Sequence, residues 1–97
     1  MEIDVVGKRL DVVMLIDCKH WKRMSYSNLK IIVDKQIKRA KQYIQNKRNL
    51  IAVPIIVTLY KEETSFINGT PIVPIFQFSS FIDEFYGNLE YMNTIEK

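Results

Sequence analysis

Residues 12–19 read Val-Val-Met-Leu-Ile-Asp-Cys-Lys, an apolar run that ends in an acid and, two residues later, a lysine. The run predicts a β-strand over residues 11–19 that is apolar on both faces and therefore central in its sheet. Side chains two residues apart on a strand point to the same face, so we expect Asp17 and Lys19 to lie side by side. One task that such a pair can share is metal-assisted phosphodiester hydrolysis, in which carboxylates hold Mg²⁺ and a lysine stabilises charge.

A shorter strand is predicted just before this one. Residues 2–6, Glu-Ile-Asp-Val-Val, contain an apolar and polar alternation, and Gly7-Lys8-Arg9 predicts a turn. The two strands would form an antiparallel hairpin that brings Asp4 toward the strand carrying Asp17. The sequence alone leaves the register of this hairpin open.

Residues 2–6 and 13–21 together resemble the core motif of the PD-(D/E)xK nuclease superfamily, in the form typical of Mrr-type restriction endonucleases and archaeal Holliday-junction resolvases. Asp4 corresponds to the first motif acid, and Asp17 and Lys19 correspond to the (D/E)xK pair. The resemblance implies an α/β, restriction-endonuclease-like fold with a four-stranded mixed sheet, flanking helices and the order β-β-α-β-β-α. It also implies a Mg²⁺- or Mn²⁺-dependent deoxyribonuclease acting in restriction, DNA repair or recombination.

The resemblance assigns roles to the residues around this motif. Asp4 and Asp17 would bind the metal ion together with the backbone carbonyl of Cys18, whose side chain would point to the opposite face and pack in the core. Glu2 either adds a carboxylate near the metal ion or is a solvated terminal residue. Lys19 would sit near the scissile phosphate.

Gln36 interrupts the apolar stripe of a predicted helix. Related nucleases often place a glutamine on this helix, facing the active site, although Ala40 stands where a stricter motif has tyrosine. Burying an amide without partners costs about 1–3 kcal/mol, so Gln36 needs a hydrogen bond. The alternatives are a catalytic position near the metal site and a structural hydrogen bond between helix and loop.

The charge of the chain is unevenly distributed. Residues 19–48 carry ten basic groups and one acidic group, a net charge of +9, although the whole chain has a net charge of only +3. A basic block beside two carboxylates suits a polyanion held over a metal site, whereas by itself it is typical of a solvated helix face. The candidate DNA contacts, which would bind phosphate without reading sequence, are His20, Lys22, Arg23, Lys30, Lys38 and Arg39.

The remaining sequence predicts a helix over residues 28–47 with Ser27 as its N-cap. Its buried stripe would comprise Leu29, Ile32, Val33, Gln36, Ile37, Ala40, Tyr43 and Ile44.

Residues 50–60 predict a third strand, in which Pro54 favours an edge position or a bulge. A charged stretch with the turn Asn68-Gly69 follows, and then a fourth strand over residues 71–77 that Pro74 interrupts. Ser80 and Asp83 predict the start of a short helix that ends near Gly87. Residues 88–97 would add one or two helical turns or form a loose tail.

Size and composition indicate one domain, residues 1–97. No apolar stretch of about 18 residues is present, so we expect no membrane contact. With Cys18 as the single cysteine, no internal disulfide can form, and a cytoplasmic location is expected. One cysteine and one histidine also exclude a metal site built on Cys/His pairs.

Members of this superfamily usually have a helix before the first strand, often with a further catalytic glutamate, and this sequence begins at the motif itself. We expect the fold without that helix. A shortened start, a dispensable helix and a second protomer covering the sheet are the alternatives. An uncovered apolar face favours a homodimer, which would place two sites on one duplex or junction.

Two other functions stay open at this stage. The chain could be a non-catalytic nucleic-acid-binding or assembly module that retains the nuclease scaffold, or an interaction domain in which the D-x-K pattern is accidental. The joint presence of Asp4, Asp17 and Lys19 favours the enzyme. No separate target-recognition domain is visible in the sequence, so specificity would come from DNA structure, DNA ends or a partner.

Overall fold

Six strands and two α-helices form the part of the chain that the computed structural model describes, residues 5–9, 12–19, 25–47, 50–59, 66–92 and 94–96. These elements are β1 (Val5–Arg9), β2 (Val12–Lys19), α1 (Tyr26–Ile44), β3 (Ile51–Thr58), β4 (Phe66–Ile67), β5 (Thr70–Pro74), α2 (Phe78–Asp83) and β6 (Ile95–Glu96). Two 3-10 helices, Ile75–Gln77 and Tyr86–Tyr91, flank α2 along the chain. None of the described helices is both long enough and apolar enough to cross a lipid bilayer.

The strands form one mixed sheet in the order β1-β2-β3-β5-β4, with β6 also pairing with β3. β2–β3 and β3–β5 are parallel, and the other pairs are antiparallel. The α/β class, the mixed sheet and the central position of β2 are confirmed. The described chain has six strands where four were expected. The two additional strands, β4 and β6, have two residues each and are too short to show an alternation in the sequence.

The first hairpin is antiparallel as predicted, but its turn is not at residues 7–9. β1 pairs with β2 from Val5↔Ile16 to Arg9↔Val12, so Gly7, Lys8 and Arg9 belong to the strand. Only residues 10 and 11 separate the two strands, and the Gly-Lys-Arg turn signal was therefore misleading. Residues 1–4, where the first strand was expected to begin, lie outside the described part of the chain.

The helix α1 begins and ends earlier than predicted. Ser25, in extended backbone, is the N-cap rather than Ser27, and its Oγ accepts a hydrogen bond of 3.2 Å from the backbone N–H of Asn28. The helix ends at Ile44 instead of residue 47. The predicted stripe is confirmed, with two half-buried members, Ile37 and Tyr43, and six buried ones: Leu29, Ile32, Val33, Gln36, Ala40 and Ile44.

The expectation of an edge strand at Pro54 is wrong, because β3 has neighbours on both sides. On the side away from β2, β6 pairs with Ile51 and Ala52, and β5 pairs with residues 56–58. Pro54 lies in the interval between these two ladders, so its missing N–H removes no described pair on that side. A proline is therefore tolerated in a central strand.

The C-terminal half differs from the sequence prediction in detail. Asn68 and Gly69 form the expected turn, with φ of 52° and 77°, which is typical of the type I′ hairpin that joins β4 to β5. The fourth strand ends at Pro74, and a 3-10 helix leads from it directly into α2. Ser80 and Asp83 therefore lie inside α2 and do not start it, and Gly87 lies in the second 3-10 helix.

Both faces of the sheet are covered. On one face, α1 packs on the sheet through two apolar clusters, one that contains Val33 and Ile56 and one that contains Ala40 and Val13. On the other face, Phe85 and Met92 are buried against β2, β3 and β5, and the half-buried side chains Phe78, Phe81 and Leu89 pack around them. The apolar face that we expected to be exposed without a leading helix is therefore covered by the chain's own C-terminal segment.

Candidate functional site

Asp17 and Lys19 lie near the C-terminal end of β2, on the face that α1 covers. The preceding residues of this face, Val13 and Leu15, are fully buried. Lys19 Nζ lies 3.2 Å from Asp17 Oδ2, and the side chain of Asp17 is only 5% exposed. The proximity predicted from the two-residue spacing on a strand is confirmed, and the acid is buried rather than on the surface.

Arg39 is a second cation at the same carboxylate oxygen. Its Nη1 lies 3.6 Å from Asp17 Oδ2, and its side chain is 20% exposed, compared with 24% for Lys19. Removing a carboxylate from water without compensation costs several kcal/mol, so a buried Asp17 needs such partners. The sequence suggested Arg39 as a phosphate contact, whereas the structure places its guanidinium beside the candidate metal ligand.

Gln36 connects the helix to this cluster. Its side chain is fully buried, and Nε2 donates a 2.7 Å hydrogen bond to the backbone carbonyl of Leu15, two residues before Asp17. Its Oε1 accepts a 3.4 Å hydrogen bond from Arg39 Nη1. Gln36 therefore lies near the site and also makes a structural hydrogen bond, but this bond joins the helix to strand β2 and not to a loop as the sequence-based alternative had it. The spacing of three residues between Gln36 and Arg39, neighbours on a helix surface, is the signal that points to Arg39.

Thr58 extends the polar cluster along the edge of the sheet. It pairs with Lys19 in the parallel ladder between β2 and β3, so both side chains point to the α1 face, and Thr58 is buried. The next residue, Leu59, donates a 3.1 Å backbone hydrogen bond to the carbonyl of Lys19. No local pattern pointed to Thr58, because its place beside Lys19 depends on the register of two strands that are distant in the sequence.

Cys18 lies between the two charged residues but points to the other face. Its side chain is half-buried and packs against the apolar cluster that contains Ile16, Val57 and Phe85. The predicted direction of this side chain is confirmed. Because the thiol points away from the face that carries Asp17, the backbone carbonyl is the group of Cys18 that remains as a candidate ligand beside the Asp17 carboxylate.

The other predicted site residues are exposed on α1 or lie outside the described part of the chain. Lys30 is exposed and contacts Asp34 at 3.3 Å, and Lys38 is exposed. At about 100° per residue, Lys30 lies roughly half a turn around α1 from Arg39. Five of the predicted residues lie outside the described part of the chain: Glu2, Asp4, His20, Lys22 and Arg23.

The described residues include few groups that could hold a metal ion. Within them, no three side chains from His, Cys, Asp and Glu come together to hold an ion. Asp17 nevertheless offers carboxylate oxygens, the donors that Mg²⁺ and Mn²⁺ prefer, and it is held at the end of a buried strand. The carboxylate of Asp17 and the backbone carbonyl of Cys18 are therefore the described groups whose donor chemistry fits the expected ion.

Comparison with known proteins gives a relative but no family. No model of a known protein family matches the chain, and no solved structure matches it. An archaeal protein of Archaeoglobus fulgidus, named "Uncharacterized protein", is 31% identical over 85 residues, which cover 84% of this chain and 64% of the relative. The chain thus spans less than two thirds of that relative's length, and the similarity shows a related archaeal sequence without assigning an activity.

Proposed function

We propose that this chain is a metal-dependent DNA endonuclease of the PD-(D/E)xK superfamily, of the Mrr-like or Holliday-junction-resolvase-like type. The observation that carries the proposal is the 3.2 Å contact between Lys19 and a buried Asp17 at the end of a central strand. The β-hairpin, the helix and the parallel β2–β3 pair that surround this contact also match the order of elements in a restriction-endonuclease-like fold. The proposed enzyme would work in the cytoplasm, where a single thiol stays reduced.

The second metal ligand in this proposal is Asp4. Val5, the residue after Asp4, pairs with Ile16, the residue before Asp17. The proposal requires the antiparallel ladder to continue by one residue, which would set Asp4 opposite Asp17. Directly opposed residues of an antiparallel pair share a face and have Cβ atoms about 4.5–5.5 Å apart, close enough for two carboxylates to bind one ion.

In the proposed reaction, water adds to the phosphorus atom, the ester P–O bond breaks, and the departing oxygen takes up a proton. The ion, when bound, supplies Lewis-acid charge that lowers the pKa of the attacking water. Asp17, Asp4 and the Cys18 carbonyl would hold the ion, and Glu2 would be a further carboxylate near it. Lys19, a partly exposed cation beside Asp17, stabilises negative charge on the phosphate.

The positive charge of α1 supports binding to a polyanion, and the geometry suggests which lysines approach the DNA. Lys35, exposed and four residues before Arg39, lies on the same side of the helix as the Asp17 cluster. We propose that the phosphate backbone runs along this side. His20, Lys22 and Arg23 follow β2 in the chain and would extend the same basic surface.

The orientation of α1 can be tested by DNA binding. Lys35→Ala is expected to weaken binding to duplex or junction DNA about threefold to tenfold. It should also reduce the magnitude of the slope of the log association constant against the log salt concentration by about 1. Lys30→Ala is the matched comparison, because it removes the same charge from the opposite side of the helix, where it contacts Asp34. Fluorescence anisotropy over a range of salt concentrations measures the DNA affinity and its salt dependence. An equal loss of DNA affinity in the two variants would contradict this orientation.

The proposal includes a homodimer. The sequence-based reason for it was an uncovered sheet face, whereas the reason here is a set of exposed apolar side chains at the edge of the sheet. Thr58 and Pro74 are paired across β3 and β5, and the residues that follow them, Leu59, Ile75 and Phe76, are exposed. This apolar cluster lies at the same edge of the sheet as Lys19. A two-fold contact there would bury apolar surface and bring two cleavage sites close together.

The proposed activity is tested by incubating the protein with plasmid, linear duplex and four-way-junction DNA in the presence of Mg²⁺ or Mn²⁺. We expect metal-dependent cleavage that Lys19→Ala slows by about 10²–10³-fold. Lys41→Ala removes an exposed lysine from α1 and is expected to cut at the wild-type rate. No cleavage of any substrate by a protein that binds DNA would favour the non-catalytic binding module, and neither binding nor cleavage would favour an interaction domain.

A further inference from the structure

The two cations at Asp17 raise a problem for metal binding. Lys19 and Arg39 both approach Oδ2, at 3.2 and 3.6 Å. A divalent ion bound to the same carboxylate would be repelled by both, and this repulsion is strong because the carboxylate is shielded from water. Weakening one of the two contacts when the ion binds would relieve this repulsion.

We propose that Arg39 is a positioning residue that holds Asp17 in the metal-free protein and gives way to the divalent ion, so that it sets the affinity of the site for metal. The inference rests on the proposed function, since it takes Asp17 to be a metal ligand. It goes further by assigning to Arg39 a role in metal binding that differs from a contact with DNA phosphate.

The geometry identifies Arg39, rather than Lys19, as the group that gives way. Arg39 has the longer contact with Asp17, and the same Nη1 atom also donates to Gln36 Oε1 at 3.4 Å. Gln36 is itself fixed by its 2.7 Å hydrogen bond to the Leu15 carbonyl. When Arg39 leaves Asp17, it keeps a neutral partner whose position does not depend on the carboxylate.

Lys19 is in a different situation. It is on the same strand as Asp17, two residues away, so the pleat of β2 keeps the two side chains on one face whether or not an ion is bound. Its ammonium can turn toward a phosphate group while it stays beside the site. Arg39 approaches from the helix, and its long side chain is partly exposed, so it can shift without moving the backbone.

Neutralising Arg39 is therefore expected to have opposite effects on metal binding and on the metal-free protein. In Arg39→Gln the competing charge is gone, and the dissociation constant for Mn²⁺ should fall about tenfold. The metal-free variant should unfold at a lower temperature than the wild type, because Asp17 has lost a partner. Saturating Mn²⁺ should then raise the unfolding temperature of the variant more than that of the wild type.

The experiment measures Mn²⁺ binding by calorimetry, together with unfolding temperatures with and without Mn²⁺, for the wild type, Arg39→Gln and Lys41→Gln. Lys41→Gln removes one charge from an exposed site on the same helix, and its dissociation constant should stay within about twofold of the wild type. Arg39→Met, which keeps the length and apolar stem of the side chain, serves as a second neutral variant if Arg39→Gln does not fold.

Tighter Mn²⁺ binding in the Arg39 variants than in both the wild type and Lys41→Gln would support the inference. Wild-type binding with unchanged or weaker binding in the Arg39 variants would overturn it and leave the proposed metal-dependent function standing. An absence of Mn²⁺ binding in the wild type and in every variant would overturn both.

Discussion

Asp17→Asn is expected to slow Mg²⁺-dependent DNA cleavage by about 10³-fold or more, the largest effect on activity that we predict for any substitution in the chain. Asparagine keeps the size of the side chain and one carbonyl oxygen, but it removes the negative charge that binds a divalent ion. Lys19 and Arg39 both contact the Asp17 carboxylate, and no group of three or more His, Cys, Asp and Glu side chains is present among the described residues to hold the ion in its place.

The measurement is the initial rate of junction or plasmid cleavage at saturating Mg²⁺, with circular dichroism to show that the variant is folded. Asp34→Asn is the matched control, since Asp34 is an exposed acid on α1 whose described contact is an exposed ion pair with Lys30. Such pairs contribute about 0–1 kcal/mol, so this variant should be folded and active. Wild-type cleavage by folded Asp17→Asn would show that Asp17 is not a metal ligand in the reaction.

The largest effect on stability is predicted for Phe85→Ala, which should lower the free energy of unfolding by about 3–5 kcal/mol. Phe85 is only 2% exposed and lies in the apolar cluster on the sheet face opposite α1. Its ring packs edge to face on that of Phe81, with the ring centroids 5.9 Å apart. Its truncation would open a cavity beneath the strands that carry the site. For a domain whose total stability is about 5–15 kcal/mol, this loss is a large fraction.

Urea denaturation followed by circular dichroism or tryptophan fluorescence measures this loss. The matched control is Tyr91→Ala, because Tyr91 is 68% exposed, lies outside the proposed dimer contact, and its truncation should change the free energy of unfolding by less than about 0.5 kcal/mol. Similar small effects of both substitutions would mean that the C-terminal segment does not cover this face of the sheet. That result would also restore the earlier reason for expecting a second protomer there.

The elements that sequence analysis predicted best are those with a long, regular pattern. Eight residues of β2 and nineteen of α1 are enough to show an apolar run or a helical stripe. The two-residue strands β4 and β6 carry no such pattern, and their existence depends on partners that are distant in the sequence. The turn signal at Gly7 was overridden by pairing with β2, and the edge signal at Pro54 was overridden by the gap between β5 and β6.

The contacts at the site also divide into those set by local spacing in the sequence and those set by packing between distant elements. The contact between Asp17 and Lys19 was predictable because it depends only on the two-residue repeat of a strand. The contact of Arg39 with Asp17 joins a helix to a strand, and the place of Thr58 beside Lys19 joins two strands, so neither could be predicted from local spacing. The helical neighbours Gln36 and Arg39 were visible in the sequence as a pair, but only the packing of α1 on β2 shows what they hold.

The central claim, that Asp17 and Asp4 hold one divalent ion at the end of β2, is tested most directly by calorimetric titration of Mn²⁺ into the wild type, Asp4→Asn, Asp17→Asn and Asp34→Asn. We predict saturable binding at one site for the wild type and Asp34→Asn, and a dissociation constant at least about 100-fold weaker for each of the other two variants. Unchanged Mn²⁺ binding in both Asp4→Asn and Asp17→Asn, with all four proteins folded, would contradict the claim.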